Sequence, residues 1–257
     1  MKYLLFFLST TFLFGQSETE NLYQKKTFQS GDDILNYRIM YPQNFDASVK
    51  YPVVLFLHGS GERGNDNELQ LVHGSSLFAD PKVREDYPAI VVFPQCPTDD
   101  SWANVTRNDN QVEGSFTYDY SKPIKKPSEL VMKLLDELLA NPYVDQNRIY
   151  ITGLSMGGMG TFELLYRFPD KFAAAIPICG GSNPESAKAY ANKVPVWIIH
   201  GAKDKVVSPA GSLEMAKRIL AAGGYPKVTI FEDANHNSWD PAFAHPEYLK
   251  WMFSHSK

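Results

Sequence analysis

Apolar runs alternate along this chain with segments of helical periodicity. Residues 25–27 and 35–40 flank a Ser-Gly-Asp-Asp turn at residues 30–33 and predict an antiparallel hairpin. Later runs are apolar almost without interruption, which is typical of strands covered on both faces. They predict strands at residues 51–57, 89–93, 148–152, 172–178, 194–200 and 227–231.

Helical periodicity fills the intervals between these runs. Residues 127–140 carry apolar side chains at spacings of three and four, between Pro127 and the stop signal Asn141-Pro142. Further helices are predicted at residues 67–79, 156–168 and 209–222 and from Pro246 onward. This alternation predicts an α/β fold with a mainly parallel, twisted sheet of about eight strands and helices on both faces.

Residues 97–126 fit neither period. Aromatic residues, among them Trp102, Phe116, Tyr118 and Tyr120, stand there among Asp, Asn, Ser and Thr. Long loops in compact domains are usually functional or disordered, and the aromatic content favours function. We expect an active-site loop insertion at residues 97–126.

The first residues have the pattern of a signal peptide. A lysine at position 2 precedes an apolar run at residues 3–14 and then small residues. The run is shorter than the roughly 20 residues of a membrane-spanning helix, and an uncleaved anchor is the alternative. We expect a signal peptide at residues 1–16 and a secreted or periplasmic catalytic domain at residues 17–257, with no membrane association after cleavage.

Composition narrows the class of protein. The 257 residues are 44% apolar and 21% charged, as in globular proteins, and the length suits one large domain. The formal net charge is -4, and no basic cluster could neutralise a run of phosphates. Nucleic acid is therefore not expected as a partner.

The strongest chemical signal is the segment Gly-Leu-Ser-Met-Gly-Gly at residues 153–158. It lies between a predicted strand and a predicted helix, which is the context of a nucleophile elbow centred on Ser155. Gly153 and Gly157 would provide the clearance that such a sharp turn needs. A glycine-rich helix cap is the alternative, and a phosphate-binding loop is disfavoured because no lysine follows the glycines.

A serine nucleophile needs a histidine base and an orienting carboxylate. Among six histidines, His236 stands in a polar loop after the last predicted strand, whereas His58 and His200 are interpreted as strand-end structure. Asp204 follows the strand at residues 194–200 and is the expected acid, with Asp233 as the alternative. Loops after parallel strands emerge at one edge of the sheet, so Ser155, Asp204 and His236 can meet there.

Two backbone N–H groups are expected to form the oxyanion hole. Met156 would donate from the helix N-terminus, and Ser60 or Gly61 would donate from the glycine-rich loop at residues 58–64. Glu62 and Arg63 in that loop are expected to pair with each other and hold it.

These motifs resemble those of the α/β-hydrolase superfamily over residues 51–251. The sequence is similar to secreted bacterial esterases of the dienelactone-hydrolase and prolyl-oligopeptidase-like branch, on the evidence of four segments. They are the loop at residues 57–64, the elbow at residues 153–158, His200-Gly201 with Asp204, and His236 before Trp239. The resemblance implies Ser155 as nucleophile, His236 as base and Asp204 as acid. Dienelactone hydrolases have a cysteine nucleophile, where this chain has serine.

The expected activity is that of a serine carboxylesterase acting through an acyl-enzyme, without cofactor or metal. Alternatives are a serine peptidase or amidase and a non-catalytic carbohydrate-binding protein. Trp102 and Trp239 are the expected substrate contacts, since aromatic rings stack on sugars. The expected substrate is a small-molecule or carbohydrate ester, including acetyl or feruloyl esters of polysaccharides.

The strand order that is typical of this fold also bears on the two cysteines. Strands ending near Cys96 and Cys179 would lie about three positions apart, roughly 14 Å at the usual strand spacing. A disulfide requires Cα atoms within about 7 Å. Two free, buried thiols are therefore predicted.

Overall fold

The computed structural model describes residue 19, residues 21–108 and residues 115–257. Eight strands form one sheet in the order β1-β2-β4-β3-β7-β8-β9-β10, and β5 and β6 form a separate hairpin. The strands are β1 Gln24–Ser30, β2 Asp33–Met40, β3 Tyr51–Leu57, β4 Ile90–Pro94, β5 Val105–Arg107, β6 Phe116–Tyr118, β7 Val144–Leu154, β8 Ala174–Ile178, β9 Trp197–Gly201 and β10 Lys227–Phe231.

The sheet is mainly parallel, as predicted. Strands β4, β3, β7, β8, β9 and β10 run parallel to one another, while β1 and β2 add an antiparallel start. Gly31 takes φ +63° in the hairpin turn between β1 and β2, a conformation that glycine adopts without strain. All five residues of β4 and of β8 are buried, because helices cover both faces of the sheet.

Helices pack on both faces of the sheet around two apolar cores. The first core includes side chains of α3, α4, α5 and α6, and the second includes side chains of α1, α7 and α8. The helices are α1 Ser75–Ala79, α2 Pro81–Asp86, α3 Lys126–Leu139, α4 Met156–Arg167, α5 Ala187–Tyr190, α6 Pro209–Ala221, α7 Trp239–Phe243 and α8 Tyr248–Phe253. The helices predicted at 127–140, 156–168 and 209–222 are thus confirmed within about one residue.

The helix predicted at residues 67–79 is wrong. A short 3-10 helix spans Leu69–Leu71, and α1 begins only at Ser75. Gly74 lies between them with φ +81°, and a Cβ there would stand 2.5 Å from the Phe56 ring. The chain turns at Gly74 to pass Phe56, which interrupts the helix.

The segment at residues 97–126 is attached to the body of the domain by buried contacts. It contains the β5–β6 hairpin, and residues 109–114 of the segment lie outside the described part of the chain. The buried carboxylate of Glu163 on α4 accepts hydrogen bonds from the Asn104 backbone N–H at 2.6 Å and from its side-chain amide at 2.9 Å. Arg167 donates to the same carboxylate at 2.7 Å. The segment is therefore fixed against α4 at Glu163, about two helical turns after Ser155.

Cys96 and Cys179 are free and buried, so the prediction about the thiols is confirmed. Strands β4 and β8 stand three positions apart in the sheet, with β3 and β7 between them. The predicted signal peptide at residues 1–16 lies outside the described residues. Within the described part of the chain, no helix has the length and hydropathy needed to span a membrane.

Candidate active site

Ser155 occupies the sharp turn between β7 and α4. Its φ is +54° and its ψ is -116°, an unfavourable backbone conformation for a residue with a side chain. A Cβ on Gly157 would lie 1.9 Å from the Leu57 carbonyl oxygen, and one on Gly153 would lie 2.6 Å from that of Gly157. Only glycine fits at both positions, so the sequence pattern corresponds to a nucleophile elbow and not to an ordinary helix cap.

The elbow is held by the neighbouring strand and helix. The N–H of Ser155 donates to the Ile178 carbonyl at the end of β8 at 2.9 Å. Met156 is the first residue of α4, where a backbone N–H has no intrahelical acceptor. That N–H is therefore available to a negatively charged oxygen beside Ser155.

The structure brings Ser155, His236 and Asp204 together. His236 Nε2 lies 2.9 Å from Ser155 Oγ, and His236 Nδ1 lies 2.7 Å from Asp204 Oδ2. Since Nδ1 faces a carboxylate it carries the proton, which leaves Nε2 to accept the hydrogen bond from the serine hydroxyl. The three side chains come from loops after β7, β9 and β10, which end at the same edge of the sheet.

Asp204 is buried and has four donors. Its Oδ1 accepts the N–H groups of Val206 at 2.8 Å and Val207 at 2.9 Å. Its Oδ2 accepts from His236 and also from His200 Nε2 at 3.2 Å. Burial acts to raise the pKa of Asp204, but the hydrogen bonds from His200, His236 and Val207 outweigh it and hold the pKa well below its usual range. Asp204 therefore carries a full negative charge near neutral pH.

His200 is the residue that sequence reasoning missed. It is fully buried at the end of β9, with Nδ1 2.7 Å from Ser212 Oγ and Nε2 3.0 Å from the Val207 carbonyl. Nε2 faces only acceptors, namely that carbonyl and the Asp204 carboxylate, so it carries a proton. The available sequence signal for this contact was the spacing of four residues between His200 and Asp204. That spacing did not predict the contact, because a strand end and the loop after it have no fixed periodicity.

The rival residues lie elsewhere. Asp233, the alternative acid, is exposed and pairs with Lys203 at 2.6 Å. His58 is buried and structural, as expected, with Nε2 accepting the Cys96 N–H at 2.9 Å. Of the two candidate acids, Asp204 is the one whose carboxylate contacts His236.

The glycine-rich loop after β3 lies directly against Ser155. A Cβ built on Gly59 would be 3.7 Å from Ser155 Cβ, and residues Ser60–Glu62 continue as a 3-10 helix. The expected Glu62–Arg63 pair is replaced by other contacts. Arg63 donates to the Ser60 carbonyl at 3.0 Å, while Glu62 faces His73 with 3.7 Å between Oε1 and Nε2.

Trp239 and Trp102, the two expected substrate contacts, have different environments. The half-buried Trp239 ring lies edge to face with His236 at a centroid distance of 5.4 Å. Trp102 is fully buried, donates to the His58 carbonyl at 3.0 Å and packs against Gly160. The expectation for Trp102 is therefore corrected: its side chain belongs to the core.

A cavity of about 290 Å³ opens between the β5–β6 hairpin and the start of α6. Val207, one of its lining residues, belongs to a small apolar cluster with Met159 of α4, and Phe116 and Tyr118 of the hairpin pack against this cluster. It is lined by Ser115, Phe116, Tyr118, Gly181, Val207, Ser208, Ala210 and Gly211.

The family relationship follows from residues 46–246, which match the phospholipase/carboxylesterase family. The chain belongs to this family. The matched span of the phospholipase/carboxylesterase family includes the elbow, both residues of the His236–Asp204 pair and the loop after β3.

Three similar proteins have names that include the word esterase. The solved structure of a thermostable esterase is 34% identical with a TM-score of 0.83, over 93% of this chain and 64% of that protein. A bifunctional acetylxylan esterase/xylanase of Neocallimastix patriciarum is 32% identical over 157 residues, 61% of this chain. A probable feruloyl esterase C of Aspergillus terreus is 25% identical over 196 residues, covering 76% of this chain and 64% of that protein. The chain spans only 20% of the length of the acetylxylan esterase/xylanase.

Proposed function

We propose that this protein is a serine carboxylesterase in which Ser155, His236 and Asp204 form the catalytic triad. Ser155 Oγ attacks the ester carbonyl while His236 Nε2 accepts its proton and later returns it to the leaving alcohol. Asp204 keeps the imidazole in the required tautomer and stabilises the imidazolium that forms. Water then attacks the acyl-enzyme by the same route, with His236 again as base.

The observation that carries the proposal is the continuous hydrogen-bond path through His236. Distances of 2.9 Å to Ser155 Oγ and 2.7 Å to Asp204 Oδ2 make the imidazole a bridge between nucleophile and buried carboxylate. Both lie within the range expected for a nucleophile and its base. Membership of the phospholipase/carboxylesterase family supports the same chemistry.

The oxyanion would be stabilised by two backbone N–H groups. Met156 supplies the first from the start of α4, where the helix dipole adds to its effect. Gly59 stands against Ser155 and a Cβ on Gly61 would meet nothing within 4 Å, which favours the Ser60 N–H over that of Gly61 as the second donor. Each such donor contributes about 3–4 kcal/mol to transition-state stabilisation.

The substrate class that we propose is an acylated polysaccharide or its fragments, with acetyl or feruloyl groups. Two relatives are named for acetylxylan and feruloyl esterase activity. The cavity between the β5–β6 hairpin and α6 is lined by Phe116 and Tyr118 and has room for an aromatic acyl group. The half-buried Trp239 ring lies beside His236, where a sugar could contact it. Secretion after removal of residues 1–16 belongs to the same proposal, because polysaccharide esters are extracellular.

The test combines labelling and substitution. A fluorophosphonate probe should label the wild-type protein at Ser155 and should not label Ser155→Ala. That variant should lose hydrolysis of 4-nitrophenyl acetate by several orders of magnitude while its circular dichroism stays unchanged. Undiminished turnover in a folded Ser155→Ala protein contradicts the assignment. A panel of acetylated, feruloylated and peptide substrates then separates an esterase from an amidase.

A further inference from the structure

The buried thiol of Cys179 lies beside Asp204 and His236 of the proposed triad. Cys179 follows β8 with φ +40°, and it is fully buried. A ligand atom from each of Cys179, Asp204 and His236 lies within 4.8 Å of the other two. The proposed hydrolysis does not use the thiol, so its place beside the general base needs a separate explanation.

A fourth polar atom faces the same place. Ser238 is fully buried and lies two residues after His236. Its hydroxyl lies close enough to the Cys179 sulfur to interact with it.

We propose that Cys179, Asp204 and His236 form an inhibitory site for a thiophilic divalent cation, with Zn²⁺ as the probe ion and Ser238 Oγ beside the fourth position. Thiolate, imidazole and carboxylate are the common protein ligands of zinc, which binds four ligands tetrahedrally at about 2.0–2.3 Å. Ligand atoms within 4.8 Å of one another can close around such an ion by small side-chain rotations. The ion would enter from the His236 side, where that side chain is 20% exposed.

Binding would switch off the proposed hydrolysis by occupying the base. The ion displaces the thiol proton to solvent and takes the electron pair of one imidazole nitrogen. On Nδ1 it breaks the bond to Asp204 and forces the ring proton onto Nε2, which can then no longer accept from Ser155. On Nε2 it occupies the accepting electron pair itself. In both cases Ser155 loses its base, and a chelator restores it.

The experiment compares the two buried thiols. Zn²⁺ is titrated against wild type, Cys179→Ala and the matched control Cys96→Ala, with each rate of 4-nitrophenyl acetate hydrolysis referred to the same variant in EDTA. Reversible inhibition of wild type and Cys96→Ala is expected, and the inhibiting concentration should rise at least about tenfold in Cys179→Ala. Equal sensitivity of Cys179→Ala and wild type overturns the proposal.

The predicted inhibition by Zn²⁺ rests on the proposed function. A second readout therefore measures metal binding without using hydrolysis. Co²⁺ bound to a thiolate gives a sulfur-to-metal charge-transfer absorption band. The band is expected in wild type, in Cys96→Ala and in the hydrolysis-deficient Ser155→Ala, and it should be absent from Cys179→Ala. A wild-type protein that takes up Co²⁺ without this band, or takes up none, also overturns the proposal. A band without any esterase activity would instead refute the proposed function alone.

Discussion

His200 Nε2 lies 3.2 Å from Asp204 Oδ2, so a second, fully buried imidazole shares the carboxylate oxygen that holds His236. His200 is itself oriented by Ser212, whose hydroxyl lies 2.7 Å from Nδ1 and 2.9 Å from the Gly180 carbonyl. Asp204 is therefore positioned from both sides. We propose that His200 is a positioning residue, which orients His236 indirectly by holding Asp204 in place.

Replacement of His200 should weaken the chemical step more than substrate binding. His200→Ala removes a donor from Asp204, so we expect kcat to fall at least about tenfold with KM nearly unchanged, since small misplacements of catalytic groups cost up to about a hundredfold. His200→Gln keeps a side-chain N–H and should recover part of kcat. Steady-state kinetics on a chromogenic acetate checks both.

A purely structural role for His200 predicts a different result. In that case His200→Ala and His200→Gln would lower the melting temperature together, and kcat per folded molecule would stay at the wild-type value.

Asp204 and Asp233 provide a matched pair of substitutions. Asp204→Asn should lower kcat by about a thousandfold or more, because the amide cannot hold His236 in the required tautomer. Asp233→Asn should leave kcat near the wild-type value, since Asp233 is exposed and its ion pair with Lys203 is a surface contact of small energy. A large loss in Asp233→Asn with none in Asp204→Asn would reverse the assignment of the acid.

The cavity between the β5–β6 hairpin and α6 should set acyl-group selectivity. Ala210 is an exposed residue at its edge, so Ala210→Trp would fill the opening without disturbing the core. We expect kcat/KM for a feruloyl ester to fall while kcat/KM for the matching acetate is retained. Ala210→Ser is the control, because it adds only one oxygen atom. Equal losses on both esters would show that the acyl group binds elsewhere.

His58 should make the fold sensitive to acid. Burial lowers the pKa of His58 to about 4, while the Gly59 carbonyl, 2.6 Å from Nδ1, acts to raise it. Nδ1 donates to that carbonyl and Nε2 accepts from the Cys96 N–H, so the native state holds the neutral ring. Protonation of Nε2 would break the bond from Cys96.

The sign of the pH effect follows from the lowered pKa. The unfolded chain binds a proton at His58 near pH 6.5 and the native state only near pH 4, so this contribution to stability is complete above about pH 6.5 and is lost as the pH falls to about 4. The loss amounts to about 3 kcal/mol. Urea unfolding between pH 4 and 7 should show a smaller pH dependence for His58→Asn than for wild type. Identical dependences would exclude His58 as the cause.

Much of the fold and of the candidate site could be predicted from local sequence patterns. The apolar period of α3 and the glycines around Ser155 were readable because each depends on neighbours within a few residues. The order of strands and helices then placed Ser155, Asp204 and His236 at one edge. The helix predicted at residues 67–79 was wrong because Gly74 turns the chain to clear Phe56, a residue of a distant strand.

The sequence by itself determined the alternation of elements, the elbow and the three residues proposed for the triad, because periodicity and turn chemistry act over short distances. Only the tertiary structure decided that Trp102 is buried, that His200 shares Asp204 with His236, and that Cys179 lies behind them. These relationships depend on which strands become neighbours and how each side chain points. Both are set by packing across the whole sheet, and no local pattern encodes them.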